Sequence, residues 1–183
     1  MPRLPTPATI DQAPLASRPL LDGVKKQLGT VPNMFRLIAT SPAALEGYLS
    51  LSGALNKGAL PAATRERIAL AIAEVNGCGY CLSAHTYVGK TFAKLDDDEI
   101  LANRRGTSKD AKADAAVHFA AKVARERGHV GESDVRAVKA AGYDDAQVLE
   151  IVLHVVLNTL TNYVNEVAKT EIDFPAVDLR LAS

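Results

Sequence analysis

The two cysteines of this 183-residue chain, its only ones, lie three positions apart in the stretch NGCGYCLSAHT. Cys78 and Cys81 are followed by His85, one of four histidines. On a helix these three side chains share one face, because successive residues are separated by about 100°. Cysteines at i and i+3 come within the distance that a disulfide bridges, so the spacing predicts a redox-active thiol pair with a base beside it.

The segment before the motif supplies an acid. If helices over residues 61–77 and 78–93 fold back on each other at Gly77, Glu66 lies about one helical turn from the position opposite His85. We therefore expect a direct or water-bridged contact between Glu66 and His85. The two cysteines, the histidine and the glutamate together predict a thiol pair with a proton relay behind it.

The start of the motif helix ranks the two cysteines. Asn76-Gly77 is typical of a helix end, so Cys78 falls near the N-cap of the next helix and Cys81 in its first turn. Unpaired amides and the positive end of the helix dipole stabilise a thiolate over a thiol. Cys81 also lies one turn from His85, so we expect Cys81 to be the nucleophile and Cys78 to resolve it.

Two other interpretations of the cysteines stay open. Two thiolates, an imidazole and a carboxylate are four possible metal ligands, although three ligands within eight residues of one helix give poor tetrahedral geometry. The thiols are otherwise inert residues of the core. A polar stripe of His154, Asn158 and Asn162 follows in the last predicted helix, and we interpret it as buried hydrogen bonding between helices or subunits rather than as a lining of the active site.

Helical periodicity runs through most of the chain and predicts an all-α fold with the cysteine motif at the start of a helix. Residues 1–18 hold four of the nine prolines and show no helical period, so we expect an extended N-terminal arm before a single domain over residues 19–183. Ser108 and Ser133 are the predicted N-caps of the helices that follow them. Besides the pair around the motif and a short helix in PNMFRLIATSP, helices are predicted over residues 19–29, 43–57, 109–127, 134–141 and 145–169.

Composition argues against several classes of protein. Twenty-one basic and 21 acidic residues cancel, so no excess of positive charge attracts nucleic acid or an anionic membrane. No apolar run approaches the roughly 20 residues of a membrane span, and the N-terminus lacks the apolar stretch of a signal peptide. We expect a cytoplasmic protein, in which a close cysteine pair is more often catalytic or metal-binding than a permanent disulfide. Surplus apolar helix surface, especially in residues 145–168, predicts a homo-oligomer.

The stretch RERIALAIAEVNGCGYCLSAHT resembles the core of the AhpD-like alkylhydroperoxidases, within the carboxymuconolactone decarboxylase superfamily. The family pattern is a glutamate, eleven residues, and then Cys-x-x-Cys-x-x-x-His, which this chain matches at Glu66, Cys78, Cys81 and His85. The stretches VPNMFRLIATSPAALEGYLSLSGALNKGALP and NTLTNYVNEVAKTEIDFP resemble the peroxidase-related branch. The resemblance covers nearly all of residues 20–175. In one departure, Tyr80 stands where the best-studied form of the motif has a second histidine.

The resemblance implies an all-helical fold, trimers or hexamers, and reduction of hydrogen peroxide or organic hydroperoxides by the cysteine pair. It implies no haem, flavin or metal, and an external dithiol of the lipoyl or thioredoxin type as reductant. The activity of the superfamily's namesake, decarboxylation of a small lactone acid, is an alternative, although that chemistry has no use for a thiol pair. A metal-binding or redox-sensing protein without turnover is a third interpretation.

Overall fold

The structure is a computed structural model and describes residues 2–179. Its regular elements in this range are α-helices and two short 3-10 turns, which confirms the predicted all-α fold. The first helices are α1 (Arg18–Leu28), α2 (Asn33–Ile38), α3 (Pro42–Leu55), α4 (Ala62–Val75) and α5 (Gly79–Thr91). They are followed by α6 (Asp97–Arg104), α7 (Ala111–Arg125), α8 (Glu132–Ala140) and α9 (Asp145–Ala168).

Helix α4 lies at the centre of the fold and packs against α5, α6, α7 and α9. Its residues 68–73 are all buried, which covers the helix on every side. Leu70 and Ala73 belong to a core shared with α1, α2, α3 and α5, whereas Ile68 and Ile72 belong to a core shared with α7, α8 and α9. The alternating alanines of this segment let the neighbouring helices approach closely. The helix that carries Glu66 is therefore held rigidly from both sides.

The predicted helix bounds hold to within about two residues, but two predicted N-caps are wrong. Asp110, not Ser108, caps α7, and its carboxylate accepts a hydrogen bond from the backbone amide three residues on, at 2.8 Å. The Ser108 hydroxyl donates instead to the carboxylate of Glu99. Gly131, not Ser133, is the N-cap of α8. At both helix starts the predicted serine lies two residues away from the residue that caps the helix.

The buried carboxylate of Glu99 joins α6 to two neighbouring helices. It forms an ion pair with Arg67 of α4 at 2.6 Å and accepts hydrogen bonds from Asn103, from Ser108 and from the backbone of Lys109. Burial alone opposes ionisation, but these donors outweigh it and lower the pKa of Glu99 to about 2. The carboxylate is thus a charged anchor between α4, α6 and the start of α7.

The N-terminal arm is extended only in part. Two 3-10 turns interrupt it within residues 10–17. The Ser17 hydroxyl donates a hydrogen bond to the carbonyl of Ala39 at 2.7 Å, and the amide of Arg3 donates to the carbonyl of Ala168 at 2.7 Å. The arm therefore lies against its own chain, next to the ends of α2 and α9.

The solvent side of α9 is apolar along its length. Its large hydrophobic residues there are 38% to 65% exposed: Leu149, Leu153, Val156, Leu160, Tyr163 and Val167. They follow one another at alternating steps of four and three residues, the spacing at which one helix packs along another. We call this row the α9 seam. In the part of the chain that the structure describes, no helix is long and apolar enough to cross a membrane.

Candidate active site

A tight turn between α4 and α5 brings the two cysteines together. Gly77 has a left-handed backbone, with φ of 65°, which ends α4 and directs the chain back along it. Cys78 is the N-cap of α5 and Cys81 lies in the first turn, as the sequence predicts. Both thiols are free and buried, with exposures of 0% and 2%.

The backbone amide at the start of α5 binds Cys78 and not Cys81, which is the cysteine that we expected it to stabilise. The N–H of Cys81 donates to Sγ of Cys78 at 3.3 Å. An N-cap side chain is the acceptor for the first turn, so this contact belongs to Cys78. The expected amide contact to Cys81 is therefore wrong, whereas the expected help from His85 is confirmed, because its charge lowers the pKa of Cys81.

The Cys81 thiol is the more acidic of the two. Its pKa is lowered to about 7, chiefly because the Cys78 thiol donates a hydrogen bond to the Cys81 sulfur. Burial opposes this effect, while the positive charge of His85 and a hydrogen bond from Nδ2 of Asn165, at 3.3 Å, support it. The hydrogen bond to Cys81 also raises the pKa of Cys78, and burial raises it further. As pH rises through about 7 the pair loses one proton, which leaves the negative charge on Cys81 and the remaining proton on Cys78.

His85 and Glu66 are in direct contact, which confirms the predicted geometry. Nδ1 of His85 lies 2.9 Å from Oε2 of Glu66, and the two side chains are 25% and 21% exposed. Burial of His85 disfavours its charged form, but the Glu66 carboxylate outweighs burial and raises the pKa of His85, with further support from Cys81 and Asn158. The imidazolium is thus stabilised between a carboxylate and a thiolate, an arrangement suited to proton transfer.

The polar stripe of α9 faces this site. Asn162 is buried and accepts a hydrogen bond at Oδ1 from Nδ2 of Asn76, at 2.8 Å. Asn158 donates to the carbonyl of His154 at 2.8 Å and lies beside His85. Burial lowers the pKa of His154 to about 4, so this histidine is neutral. The stripe forms the predicted hydrogen bonding between helices, and it also lines the active site, which is the interpretation that we disfavoured.

The sequence reasoning missed Asn165. His154, Asn158 and Asn162 are spaced by four residues, and the next position at this spacing is Glu166. Each step of four residues turns by about 40° around the helix, so the spacing leaves the face that it started on. A step of seven residues from Asn158 stays closer to one face and reaches Asn165. The signal was therefore present in the run NTLTNYVN.

Tyr80 anchors the chain that follows α9. Its hydroxyl accepts a hydrogen bond from the amide of Met34 at 3.1 Å and donates to Oδ1 of Asp173 at 2.8 Å. Its ring meets Phe174 edge-on, with 5.8 Å between the centroids. Because the hydroxyl is used in this anchor, the residue between the two cysteines holds the C-terminal segment in place.

An aromatic ring from α3 lies on another side of the thiols. Burial, followed by the negative charge on Cys81, raises the pKa of Tyr48 to about 12, so its phenol stays neutral. The ring packs edge-on against Phe35, with 5.8 Å between the centroids. Tyr48 and Phe35 thus pack against the same apolar core as the two cysteines.

The side chains of this site that could bind a metal ion are hydrogen-bonded to one another. Glu66 pairs with His85, and Cys78 with Cys81. Across residues 2–179, no group of three or more histidine, cysteine, aspartate or glutamate side chains is arranged to hold a metal ion.

Comparison with known proteins adds the family context. The family model for the carboxymuconolactone decarboxylase family matches residues 42–126, which include Glu66 and the whole cysteine motif. The alkylhydroperoxidase AhpD core of a peroxidase-related protein from Ralstonia eutropha JMP134 superposes with a TM-score of 0.83 at 26% identity, covering 94% of this chain and 92% of that chain. A peroxidase-related protein from Silicibacter sp. TM1040 gives a TM-score of 0.79 at 24% identity, covering 93% of each chain.

A third solved structure has a different activity in its name. A cysteine-to-alanine variant of the debrominase Bmp8, in complex with 2,3,4-tribromopyrrole, gives a TM-score of 0.78 at 20% identity, covering 94% of this chain and 93% of that chain. At this identity the likeness shows a shared fold. No curated protein matches the chain significantly.

Proposed function

Because the chain belongs to the AhpD-like, peroxidase-related branch of the carboxymuconolactone decarboxylase superfamily, we propose that it is a thiol-dependent peroxidase acting on hydrogen peroxide or organic hydroperoxides. The observation that carries the proposal is the acidic Cys81 thiol, bonded to a second thiol and next to the His85–Glu66 pair. Such a peroxidase needs a thiolate at neutral pH, a resolving thiol within disulfide reach and a proton donor for the leaving oxygen.

In the proposed cycle the Cys81 thiolate attacks one oxygen of the peroxide, the O–O bond breaks, and Cys81 becomes a sulfenic acid. The departing hydroxide or alkoxide takes the proton of the His85 imidazolium, which Glu66 keeps charged and oriented. The Cys78 sulfur then attacks the sulfenic sulfur, water leaves, and a Cys78–Cys81 disulfide forms. An external dithiol of the lipoyl or thioredoxin type is oxidised as it restores both thiols. Haem, flavin and metal have no part in this cycle.

Two competing functions account for less of the site. A lactone decarboxylase, like the superfamily's namesake, makes no use of an acidic thiol bonded to a second thiol. A metal-binding protein would use Glu66 and His85 as ligands, whereas these side chains bond to each other. A redox-sensing protein without turnover has a use for the thiols but needs no proton donor that is renewed in each cycle. Because the likeness to the debrominase shows a fold only, brominated pyrroles are an alternative substrate to be tested rather than a second proposal.

The chain is also proposed to form a homo-oligomer through the α9 seam. Single exposed apolar side chains are ordinary, whereas a continuous row along one long helix is typical of a surface that another helix covers. Trimers and hexamers are the assemblies that the family leads us to expect. A cytoplasmic location fits the same proposal, since the cycle starts from reduced thiols.

The decisive experiment follows peroxide consumption with a reduced lipoyl-type dithiol as electron donor. We expect the wild-type protein to consume hydrogen peroxide or an alkyl hydroperoxide, and the Cys81→Ser variant to consume none. A carboxymuconolactone and tribromopyrrole are offered in parallel reactions. Equal peroxide consumption by the variant, or turnover of the lactone or the pyrrole without any turnover of peroxide, would overturn the proposal.

A further inference from the structure

Two side-chain amides of α9 converge on the Cys81 sulfur, and neither lies on the proton path. Asn165, 2% exposed, donates from Nδ2 to Sγ of Cys81 at 3.3 Å. Asn162, one turn earlier on α9, is fully buried. Its Nδ2 has no hydrogen-bond partner at normal distance, yet it helps to lower the pKa of Cys81. A buried N–H without a normal partner is rare in folded proteins and calls for a physical reason.

The orientation of Asn162 is fixed from behind. Its Oδ1 accepts a hydrogen bond from Nδ2 of Asn76 at 2.8 Å, and Asn76 also lies 3.4 Å from the hydroxyl of Thr159. Since the oxygen end of the amide is occupied by a donor, the nitrogen end is left for the cysteines. Asn76 is the C-cap of α4 and directly precedes the turn that places Cys78. The position of the turn and the orientation of the amide are therefore set together.

Neutral amides suit a buried thiolate in a way that the histidine does not. The positive charge of His85 lowers the pKa of Cys81, but His85 loses this charge when it gives its proton to the leaving oxygen. An asparagine amide has no titratable proton, so its two N–H groups stabilise negative charge throughout the reaction and at every pH. The backbone N–H of Cys81, which is the donor of the helix start, is directed at Cys78. Without the asparagines, the two sulfurs would compete for the negative charge on more equal terms.

We propose that Asn165 and Asn162 form an amide pocket for the Cys81 sulfur, which holds the negative charge there and so makes Cys81 rather than Cys78 the nucleophile. Asn165 contacts the reacting atom itself, and Asn76 is a positioning residue that acts through Asn162. The catalytic meaning of the pocket rests on the proposed function. The pocket itself is a property of the reduced thiols and is measured without any peroxide.

The test follows alkylation of each cysteine by iodoacetamide in the reduced, full-length protein as pH is varied, with fragment mass spectrometry to separate the two sites. We expect Cys81 of the wild-type protein to react with a midpoint near pH 7. Asn165→Leu, which keeps the size and removes the donor, should raise this midpoint by about one unit, and Asn162→Leu should act in the same direction. Asn165→Asp should raise it further, because a carboxylate then faces the thiolate.

The control is Thr161→Val on the same helix. Thr161 is buried, and its hydroxyl donates only to carbonyls of α9, so the Cys81 midpoint should stay where it is in the wild-type protein. If a variant fails to fold, nuclear magnetic resonance of the unmodified protein decides, since the side-chain amide signals of Asn165 and Asn162 should shift with the thiol titration.

Two results would overturn the proposed pocket. One is a set of folded Asn165 variants in which the alkylation midpoint of Cys81 is that of the wild-type protein. The other is side-chain amide signals of Asn165 and Asn162 that do not shift as Cys81 titrates. The alkylation and magnetic-resonance measurements can both be made whether or not the protein consumes peroxide. If Asn165→Leu raises the alkylation midpoint of Cys81 as expected but the wild-type protein turns over no peroxide, the pocket is supported and the proposed function is not.

Discussion

Of the two thiols, Cys81 loses its proton first, at about pH 7, while Cys78 keeps its proton. We therefore expect Cys81→Ser to abolish reaction with peroxide. Cys78→Ser should still react once and leave a sulfenic acid on Cys81, which a dimedone-type reagent traps, but it should turn over poorly for lack of a resolving thiol. Mass spectrometry of both variants after one equivalent of peroxide measures this. A trapped sulfenic acid in Cys81→Ser alone would reverse the two roles.

The second prediction at this scale concerns Glu66, whose carboxylate raises the pKa of His85. A raised pKa keeps His85 protonated to higher pH, and that charge is lost as pH rises through the pKa. In Glu66→Gln the pKa falls, so the protonated histidine should disappear at lower pH than in the wild-type protein. We expect peroxide reduction to slow by about 10- to 1,000-fold near neutral pH, with the alkaline decline moved to lower pH.

Rapid-mixing kinetics from pH 6 to 9 would check this expectation for Glu66. Glu74→Gln is the matched control, because Glu74 lies on the same helix in an ion pair with Arg104, at 2.8 Å. That control should keep the pH profile of the wild-type protein. A Glu66→Gln variant with an unchanged rate and profile would mean that His85 needs no carboxylate partner.

At the scale of helices, the buried Glu99 carboxylate ties α6 to α4 and to the start of α7. Its pKa of about 2 lies below the ordinary value of 4.5, so its stabilising effect is fully present above about pH 4.5 and is lost as pH falls toward 2. Glu99→Gln should lower the free energy of unfolding at pH 7 by up to about 3 kcal/mol, and should lose less stability than the wild-type protein on acidification.

Urea unfolding at pH 7 and pH 3 tests this prediction for Glu99. Glu132→Gln is the comparison, since Glu132 forms an exposed pair with Arg136 within one helix, and its loss should cost less than about 0.5 kcal/mol. Equal losses from the two variants at pH 7 would show that the Glu99 contacts do not hold the helices together.

The elements also show how far the sequence could predict the site. The contact between Glu66 and His85 was predictable because Asn76-Gly77 encodes the turn and both helices are regular, so short-range geometry suffices. Asn165 reaches Cys81 only through the packing of α9, far along the chain, which periodicity does not specify. The cap at Ser108 was mispredicted for a related reason, since its hydroxyl had an unseen competing acceptor in Glu99.

For the whole molecule, the α9 seam predicts assembly. Leu153→Glu with Leu160→Glu places two charges on the seam, and we expect this double variant to dissociate into smaller species because burying unpaired carboxylates is costly. Light scattering at micromolar concentration measures the change against an oligomeric wild-type protein. Leu101→Glu on α6 is the control, as Leu101 is 37% exposed, close to the 38% of Leu160. A monomeric wild-type protein would contradict the prediction.

The two opposite sides of α9 limit how this chain tolerates changes in length. Asn158, Asn162 and Asn165 lie toward the thiols, whereas Leu160 and Tyr163 lie on the seam, with about 200° between residues 158 and 160. A substitution alters one side and leaves the other intact. Deletion of a single residue near the middle of α9 rotates everything after it by about 100°, so the amides would leave Cys81 and the apolar row would break in one step. Insertions and deletions should therefore be tolerated in the loops of this fold and rejected in α9.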